Sequence, residues 1–148
     1  MKILIINGPN LNMLGERDES VYGADTLASI NSEITSYCKG ENINVEFFQS
    51  NIEGEIVGAV QQAKKTYGAE GLVINAGAYT HYSHAIGDAL GCIKMPKVEV
   101  HMSNVHARED FRRVSVLSDN CNGMICGFGA DSYKLACLAV KNILGKAK

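Results

Sequence analysis

Apolar residues in this chain gather into five short runs, Ile3–Ile6, Ile43–Phe48, Gly71–Ile74, Lys97–Val100 and Met124–Cys126, set apart by longer stretches where they recur every three or four positions. The runs are too short for helices and rich in β-branched residues, which marks them as strands of a sheet covered on both faces. Between them, Leu27, Ile30, Ile34 and Tyr37 predict a helix over Thr26–Cys38, with Asp25 or Thr26 as N-cap and Gly40 just past its end. The same spacing predicts a helix over Ile52–Tyr67 that closes at Gly68, one from Tyr82 to Gly91 with Pro96 beyond it, and one over Asp131–Leu144.

Strands alternating with helices imply right-handed crossovers and a parallel sheet. The expected fold is α/β: a flavodoxin-like, doubly wound, five-stranded parallel sheet with helices on both faces, forming one domain over residues 1–148. Ligands of such sheets bind beyond the carboxyl ends of the strands. That edge would collect Asn7–Tyr22, Gln49–Glu53, Asn75–His81, His101–Arg113 and Gly127–Ala130.

Composition narrows the partner. A chain of 148 residues and 16.0 kDa can bury a core without staples, and a net charge of -2 offers no basic footprint for nucleic acid or an anionic membrane. A small molecule is the expected ligand. Five cysteines, an odd number without a C-x-x-C pair, read as reduced core residues. The first apolar run is too short for a signal-peptide core and no run reaches membrane-spanning length, so a cytoplasmic protein is expected.

Four stretches could carry chemistry. Arg17 and Tyr22 stand in the polar loop after the first strand. A phenol with a reference pKa of about 10 becomes a base at neutral pH only beside cations, each of which lowers it by about 1–3 units; Arg108, Arg112 and Arg113 could add to Arg17. A solvated arginine and a packed tyrosine fit the same spacing. Asn75 and His81, after the third strand, can hold hydroxyls or a carboxylate, or can simply tie down a turn. Glu99 and His101, two apart on a strand, lie on one face, where the carboxylate would fix the imidazole as a general acid or form a structural charge pair. Backbone amides at Met102 and Ser103, with the three arginines that follow, could clamp a carboxylate.

Rival chemistries are weaker. His81-x2-His84 and His101-x4-His106, with Glu99 and Asp88, could serve as zinc ligands of a metal-dependent hydrolase, but no helical His pair encloses a glutamate. A nucleotide- or flavin-binding module is the other alternative, though Asn7-Gly8-Pro9-Asn10 has one glycine and a proline that removes a donor. No serine sits in a G-x-S-x-G elbow.

Taken together, Asn7-Gly8-Pro9-Asn10-Leu11-Asn12 with Gly15 and Arg17, Tyr22-Gly23, Phe47-Phe48-Gln49-Ser50-Asn51, Asn75-Ala76-Gly77-Ala78-Tyr79-Thr80-His81, and Val98-Glu99-Val100-His101 through Ser103-Asn104-Val105-His106-Ala107-Arg108 resemble type II 3-dehydroquinate dehydratases. The likeness extends to Cys126-Gly127-Phe128-Gly129-Ala130 and so spans nearly the whole chain. It implies a flavodoxin-like subunit, a homododecamer built as four trimers, no cofactor and no metal, and anti elimination of water from 3-dehydroquinate through an enolate to 3-dehydroshikimate. On the matching positions it implies that Tyr22 takes the C2 proton with Arg17 holding its phenolate. Asn10 would position a water at the enolate oxygen, and His101, oriented by Glu99, would protonate the departing C1 hydroxyl. Asn75, His81 and Arg112 would bind hydroxyls, and the Met102 and Ser103 amides the carboxylate. Asp88 would approach a neighbouring subunit's site. Where the family commonly carries arginine two residues after an alanine, this chain has Gly87, a change expected at or near a subunit contact. The stretch from Asn12 to Tyr22 is expected to close over substrate.

Overall fold

The computed structural model describes residues 1–16, 19–22 and 24–146, the side chains of Glu19 and Tyr22 excepted. Its strands are β1 (Lys2–Asn7), β2 (Asn44–Gln49), β3 (Gly71–Asn75), β4 (Lys97–His101) and β5 (Gly123–Cys126). All pair in parallel, in the order β2-β1-β3-β4-β5. The helices are α1 (Glu19–Tyr22), α2 (Leu27–Gly40), α3 (Glu53–Gln62), α4 (His84–Cys92) and α5 (Asp131–Lys146).

Alternation along β1 divides the core in two, because successive side chains of a strand point to opposite faces. Ile3 and Ile5 pack with Ile30, Ile34 and Cys38 of α2 and with Tyr133, Ala136, Cys137 and Val140 of α5. Leu4 and Ile6 pack on the other face with Ile56, Ala59 and Val60 of α3 and Ile86, Ala89 and Leu90 of α4. Each fully buried aliphatic side chain contributes about 1.5–3 kcal/mol, so both layers are needed to hold the sheet. The expected doubly wound architecture is the one found. No helix among the described residues is long and apolar enough to cross a membrane.

Element ends differ from expectation for local reasons. Thr26 caps α2 by accepting from the Ser29 amide at 3.1 Å, but the helix runs through Gly40, and the left-handed residue that ends it is Asn42 (φ +59). Helix α3 stops at Gln62 rather than Tyr67: the chain turns back so that Ala69, buried, bonds the Ala63 carbonyl at 3.0 Å, with Gly68 at φ +65 making the turn. Helix α4 begins after Ser83, whose hydroxyl accepts from the Ile86 amide; the residues before it, Gly77–His81, form a short 3-10 turn. Cys38 and Cys137 are core residues as expected, whereas Cys92 is exposed.

Two glycines mark close approaches. A Cβ on Gly8 would lie 2.5 Å from the Ala76 carbonyl oxygen, so only glycine lets the turns after β1 and β3 meet, where the Gly8 amide donates to the Asn75 carbonyl at 2.7 Å. Gly87 is buried inside its own chain: a Cβ there would lie 2.8 Å from the Val116 carbonyl oxygen. Glycine at this position therefore lets α4 lie close against the segment after residue 113.

That contact is testable beside a helix glycine with open space. Gly58, in α3, would meet nothing within 4 Å, so Gly58→Ala is expected to gain about 0.5–1 kcal/mol from helix propensity. Gly87→Ala gains the same propensity but overpacks at a cost of about 1–3 kcal/mol, and its Tm should fall while that of Gly58→Ala rises, at about 2–4 °C per kcal/mol. A Tm for Gly87→Ala that rises as much as that of Gly58→Ala would show that α4 is not pressed against Val116.

Candidate active site

The strand order reverses at β1, with β2 on one side and β3 on the other. The crevice beyond such a reversal is where doubly wound sheets hold ligands. Here a cavity of about 190 Å³ opens there, lined by Pro9, Asn10, Leu11, Asn75, Gly77, Ala78, His81, His101, Met102, Ser103, Val105, Arg108 and Arg112. It is below the roughly 300–1,000 Å³ of drug-sized sites and suits a small polar molecule. An adjoining cavity of about 540 Å³ shares Met102, Ser103 and Arg108 and reaches Ser20 and Val21 of α1.

His101 ends β4, 7% exposed, with its Nε2 2.7 Å from Glu99 Oε1. The i, i+2 spacing on one strand face makes this pair. A carboxylate only accepts, so Nε2 carries hydrogen and Nδ1 is the nitrogen left for a ligand. Glu99 has no solvent exposure. It also accepts from Thr80 Oγ1, from Ser115 Oγ at 2.8 and 3.0 Å to its two oxygens, and from Ser118 Oγ at 2.6 Å. Burial raises its pKa, but the hydrogen bonds from His101, Ser118 and Thr80 outweigh this and hold the carboxyl below its ordinary range.

His81 is held differently. Its Nδ1 lies 2.7 Å from the Val114 carbonyl, and a carbonyl only accepts, so Nδ1 bears the hydrogen and Nε2 of the neutral ring is an acceptor. The Phe111 ring meets it edge-on at 5.3 Å. Arg112 lies 4.7 Å over the same phenyl ring and donates through Nε to Glu109. Arg108 lines the cavity beside Ser103, to whose hydroxyl it donates at 3.4 Å. Asn104 folds the turn between them by accepting from the His106 amide at 3.1 Å.

Asn75 is anchored from both ends: Nδ2 donates to the Tyr133 hydroxyl at 2.7 Å, and Oδ1 accepts from the Gly77 amide at 3.2 Å. The Tyr133 hydroxyl donates in turn to Asn7 Oδ1 at 2.7 Å, which ties the ends of β3 and β1 to α5. Asn10 adopts left-handed geometry at φ +67, which asparagine tolerates, and its amide donates to Asn51 Oδ1 at 3.0 Å. Gln49 reaches the Gly8 carbonyl and Asn51, so the end of β2 braces the loop after β1.

Asn10, Asn75, His81, His101, Met102, Ser103 and Arg112, all singled out in the sequence, thus meet in one cavity with Glu99 behind His101. Asp88 does not join them; it is exposed on α4. Arg113 is exposed and pairs with Asp110. Arg17 and the Tyr22 side chain lie outside the described residues, so the expected closure of Asn12–Tyr22 does too. Sequence reasoning missed Ser115, Ser118 and Tyr133; their partners are 16, 19 and 58 or more residues away, and no spacing announces such pairs. Among the described residues, no three His, Cys, Asp or Glu side chains converge as metal ligands would.

The model of the family described as Dehydroquinase class II matches residues 1–141. The chain belongs to the class II dehydroquinase family. Among curated relatives, the 3-dehydroquinate dehydratase of Thermotoga neapolitana is 51% identical over 143 residues, covering 97% of this chain and 96% of the relative. That of Clostridium acetobutylicum is 50% identical over 146 residues, covering 99% and 100%. A crystal structure of the type II dehydroquinase from Butyrivibrio crossotus superposes with a TM-score of 0.92 at 49% identity, covering 95% of this chain and 97% of that one. The class II dehydroquinase fold is therefore shared along essentially the whole length.

The buried carboxylate makes acid stability a test of the site. Glu99 has a lowered folded-state pKa, so its contribution is present above the unfolded value of about 4.3 and is lost as pH falls through the folded value. Stability measured by denaturant unfolding should drop as pH falls below about 4, and Glu99→Gln should flatten that dependence. An unchanged slope in the variant would mean that Glu99 is not held as an anion.

Proposed function

We propose that this chain dehydrates 3-dehydroquinate to 3-dehydroshikimate, a cofactor-independent anti elimination through an enolate. The observation that carries the proposal is the convergence, in one cavity at the sheet's reversal point, of a carboxylate-backed imidazole with Asn10, Asn75, His81, Arg112 and the Met102–Ser103 turn. Similarity of about half the residues, end to end, to 3-dehydroquinate dehydratases supports the same reaction.

Elimination of water beside a ketone needs a base at C2, stabilisation of the enolate oxygen and an acid for the departing hydroxyl. Tyr22 is the base, its phenolate favoured by Arg17, with Arg108 and Arg112 adding positive potential at the cavity. Asn10 holds the water that hydrogen-bonds the enolate oxygen. His101 gives its Nδ1 proton to the C1 hydroxyl, which leaves as water, while Glu99 keeps the ring oriented. His81, an acceptor at Nε2, binds a substrate hydroxyl with Asn75 and Arg112, and the amides of Met102 and Ser103 hold the carboxylate. The reaction is redox-neutral, and its proton transfers lie within the chemistry of these side chains.

The proposed assembly is the homododecamer of four trimers. Tyr82, Phe111 and Val114 are each more than half exposed around His81, an apolar rim that a neighbouring subunit would cover while bringing its Asp88 to the site. Light scattering should then give about twelve times the 16.0 kDa chain mass. Free cysteines and the lack of a membrane-spanning helix among the described residues agree with a cytoplasmic setting.

The decisive assay is the ultraviolet absorbance of the conjugated product on adding 3-dehydroquinate, in EDTA as well as without it. Activity should persist in EDTA. Tyr22→Phe should lose nearly all turnover yet bind substrate, and His101→Ala should impair hydroxyl departure more than C2 hydrogen exchange. Near-normal turnover by Tyr22→Phe would remove the phenolate from the mechanism.

A further inference from the structure

The carboxylate behind the acid is held by more than the acid needs for orientation. One hydrogen bond from His101 fixes the ring. Three hydroxyls then converge on Glu99 from two other segments: Thr80 in the turn after β3, and Ser115 and Ser118 in the stretch that leads to β5. The same stretch supplies the Val114 carbonyl that holds His81, and its Val116 amide donates to the Thr80 carbonyl at 2.9 Å, so the two segments are fastened to each other. Gly87 admits this strap at van der Waals limit against α4.

We propose that Thr80, Ser115 and Ser118 are positioning residues that tune the acid, their three hydroxyls absorbing the charge left on Glu99 when the Glu99–His101 pair gives up its proton. The proposal rests on the elimination described above. Before transfer the pair is a carboxylate and an imidazolium, net zero. As the C1–O bond breaks, the proton passes from Nδ1 to the departing oxygen, water leaves, and the buried pair is left with a charge of minus one. Neutral donors stabilise the charged state more than the uncharged one, so each hydroxyl makes the pair the stronger acid. Desolvation alone would act the other way.

The remaining groups around the pair act from elsewhere, and the arginines among them act from the cavity side rather than through Glu99. Cys121, from the β4–β5 connection, is neutral, its thiol pushed up to about 12 by burial and by the charge of Glu99. Lys97, at the start of β4, acts on that thiol. His81, Arg108 and Arg112 line the cavity beside His101. Cys126 of β5 is the strand partner of His101, while His84, Asp88 and Cys92 of α4 and Asp119 are exposed.

The test uses Thr80→Val and Ser118→Ala, each removing one hydroxyl; Ser115 is left intact because its Oγ also accepts the amides of Leu117 and Ser118 and shapes the strap. The pH dependence of kcat should show its high-pH limb moved upward by about one unit in each variant, with kcat down about tenfold and KM within about twofold, one pH unit and one factor of ten being the same free energy. Thr80→Ser, which keeps the hydroxyl, should restore the wild-type limb. Independently of turnover, the imidazole Cε1–H resonance that disappears in His101→Asn should titrate at higher pH in Thr80→Val and Ser118→Ala. A limb and a titration at wild-type positions in both variants, or either moved to lower pH, would overturn the proposal whatever the loss of rate. A moved titration in a chain inactive toward 3-dehydroquinate would leave the clamp standing and remove the assigned reaction instead.

Discussion

A carboxylate with no exposure to solvent, Glu99 in the middle of β4, is the constraint on which the site's construction depends. An ionised group in that position carries a desolvation penalty of several kcal/mol unless its lone pairs are filled. The fold fills them from separate segments: His101 from the same strand, Thr80 from the turn after β3, and Ser115 and Ser118 from the approach to β5. These segments also meet through the Val116 amide on the Thr80 carbonyl and through Leu117, buried in the core beside α4. Solving the burial problem therefore also places the imidazole of His101, the turn that carries His81, and the wall of the cavity.

The floor of the cavity is fixed by a second, neutral network. Asn7 and Asn75 are register partners at the ends of β1 and β3, and Tyr133 of α5 joins their side chains through one hydroxyl. Tyr133 is fully buried, and burial pushes its phenol pKa up against the opposing hydrogen bond from Asn75, so it remains a neutral bridge. Gly8 lets the two loops that leave these strands touch. The reversal point of the sheet becomes a rigid cradle instead of a gap, and the residues that converge there do so on strand ends and short turns.

Much of this was legible in the chain. The short apolar runs and the helical spacing located every strand and the four longer helices, because the central strands β1, β3 and β4 are buried on both faces and each helix on one. The Glu99–His101 pair was legible because its geometry is local, two residues on one strand face. Asn75 and His81 could be placed at a strand end but not given a state; their hydrogen-bond partners, Tyr133 and the Val114 carbonyl, come from elsewhere in the fold. The stretch from Val105 to Asn120 was the least legible. It folds as three short 3-10 turns, the first capped by Asn104 and the stretch tied by Ser115 and Ser118 to Glu99, with no hydrophobic repeat to announce it. Gly87 was noticed as a departure, but its close approach to Val116 was not legible, since a missing side chain carries no sign of what lies against it.

The two cavity histidines show how the partner of one ring nitrogen decides what the other can do. His81 gives its Nδ1 hydrogen to a backbone carbonyl, which fixes the ring's orientation and leaves Nε2 for a ligand. His101 places Nε2 against a carboxylate, which fixes the opposite nitrogen, Nδ1, as the one left for a ligand. Identical side chains lining one cavity would be interchangeable if position alone mattered. They are not, because one is backed by a dipole and the other by a charge, and the same strap of residues 114–118 supplies the first and steadies the second. The division of binding and proton donation proposed for the two imidazoles thus rests on the groups behind them.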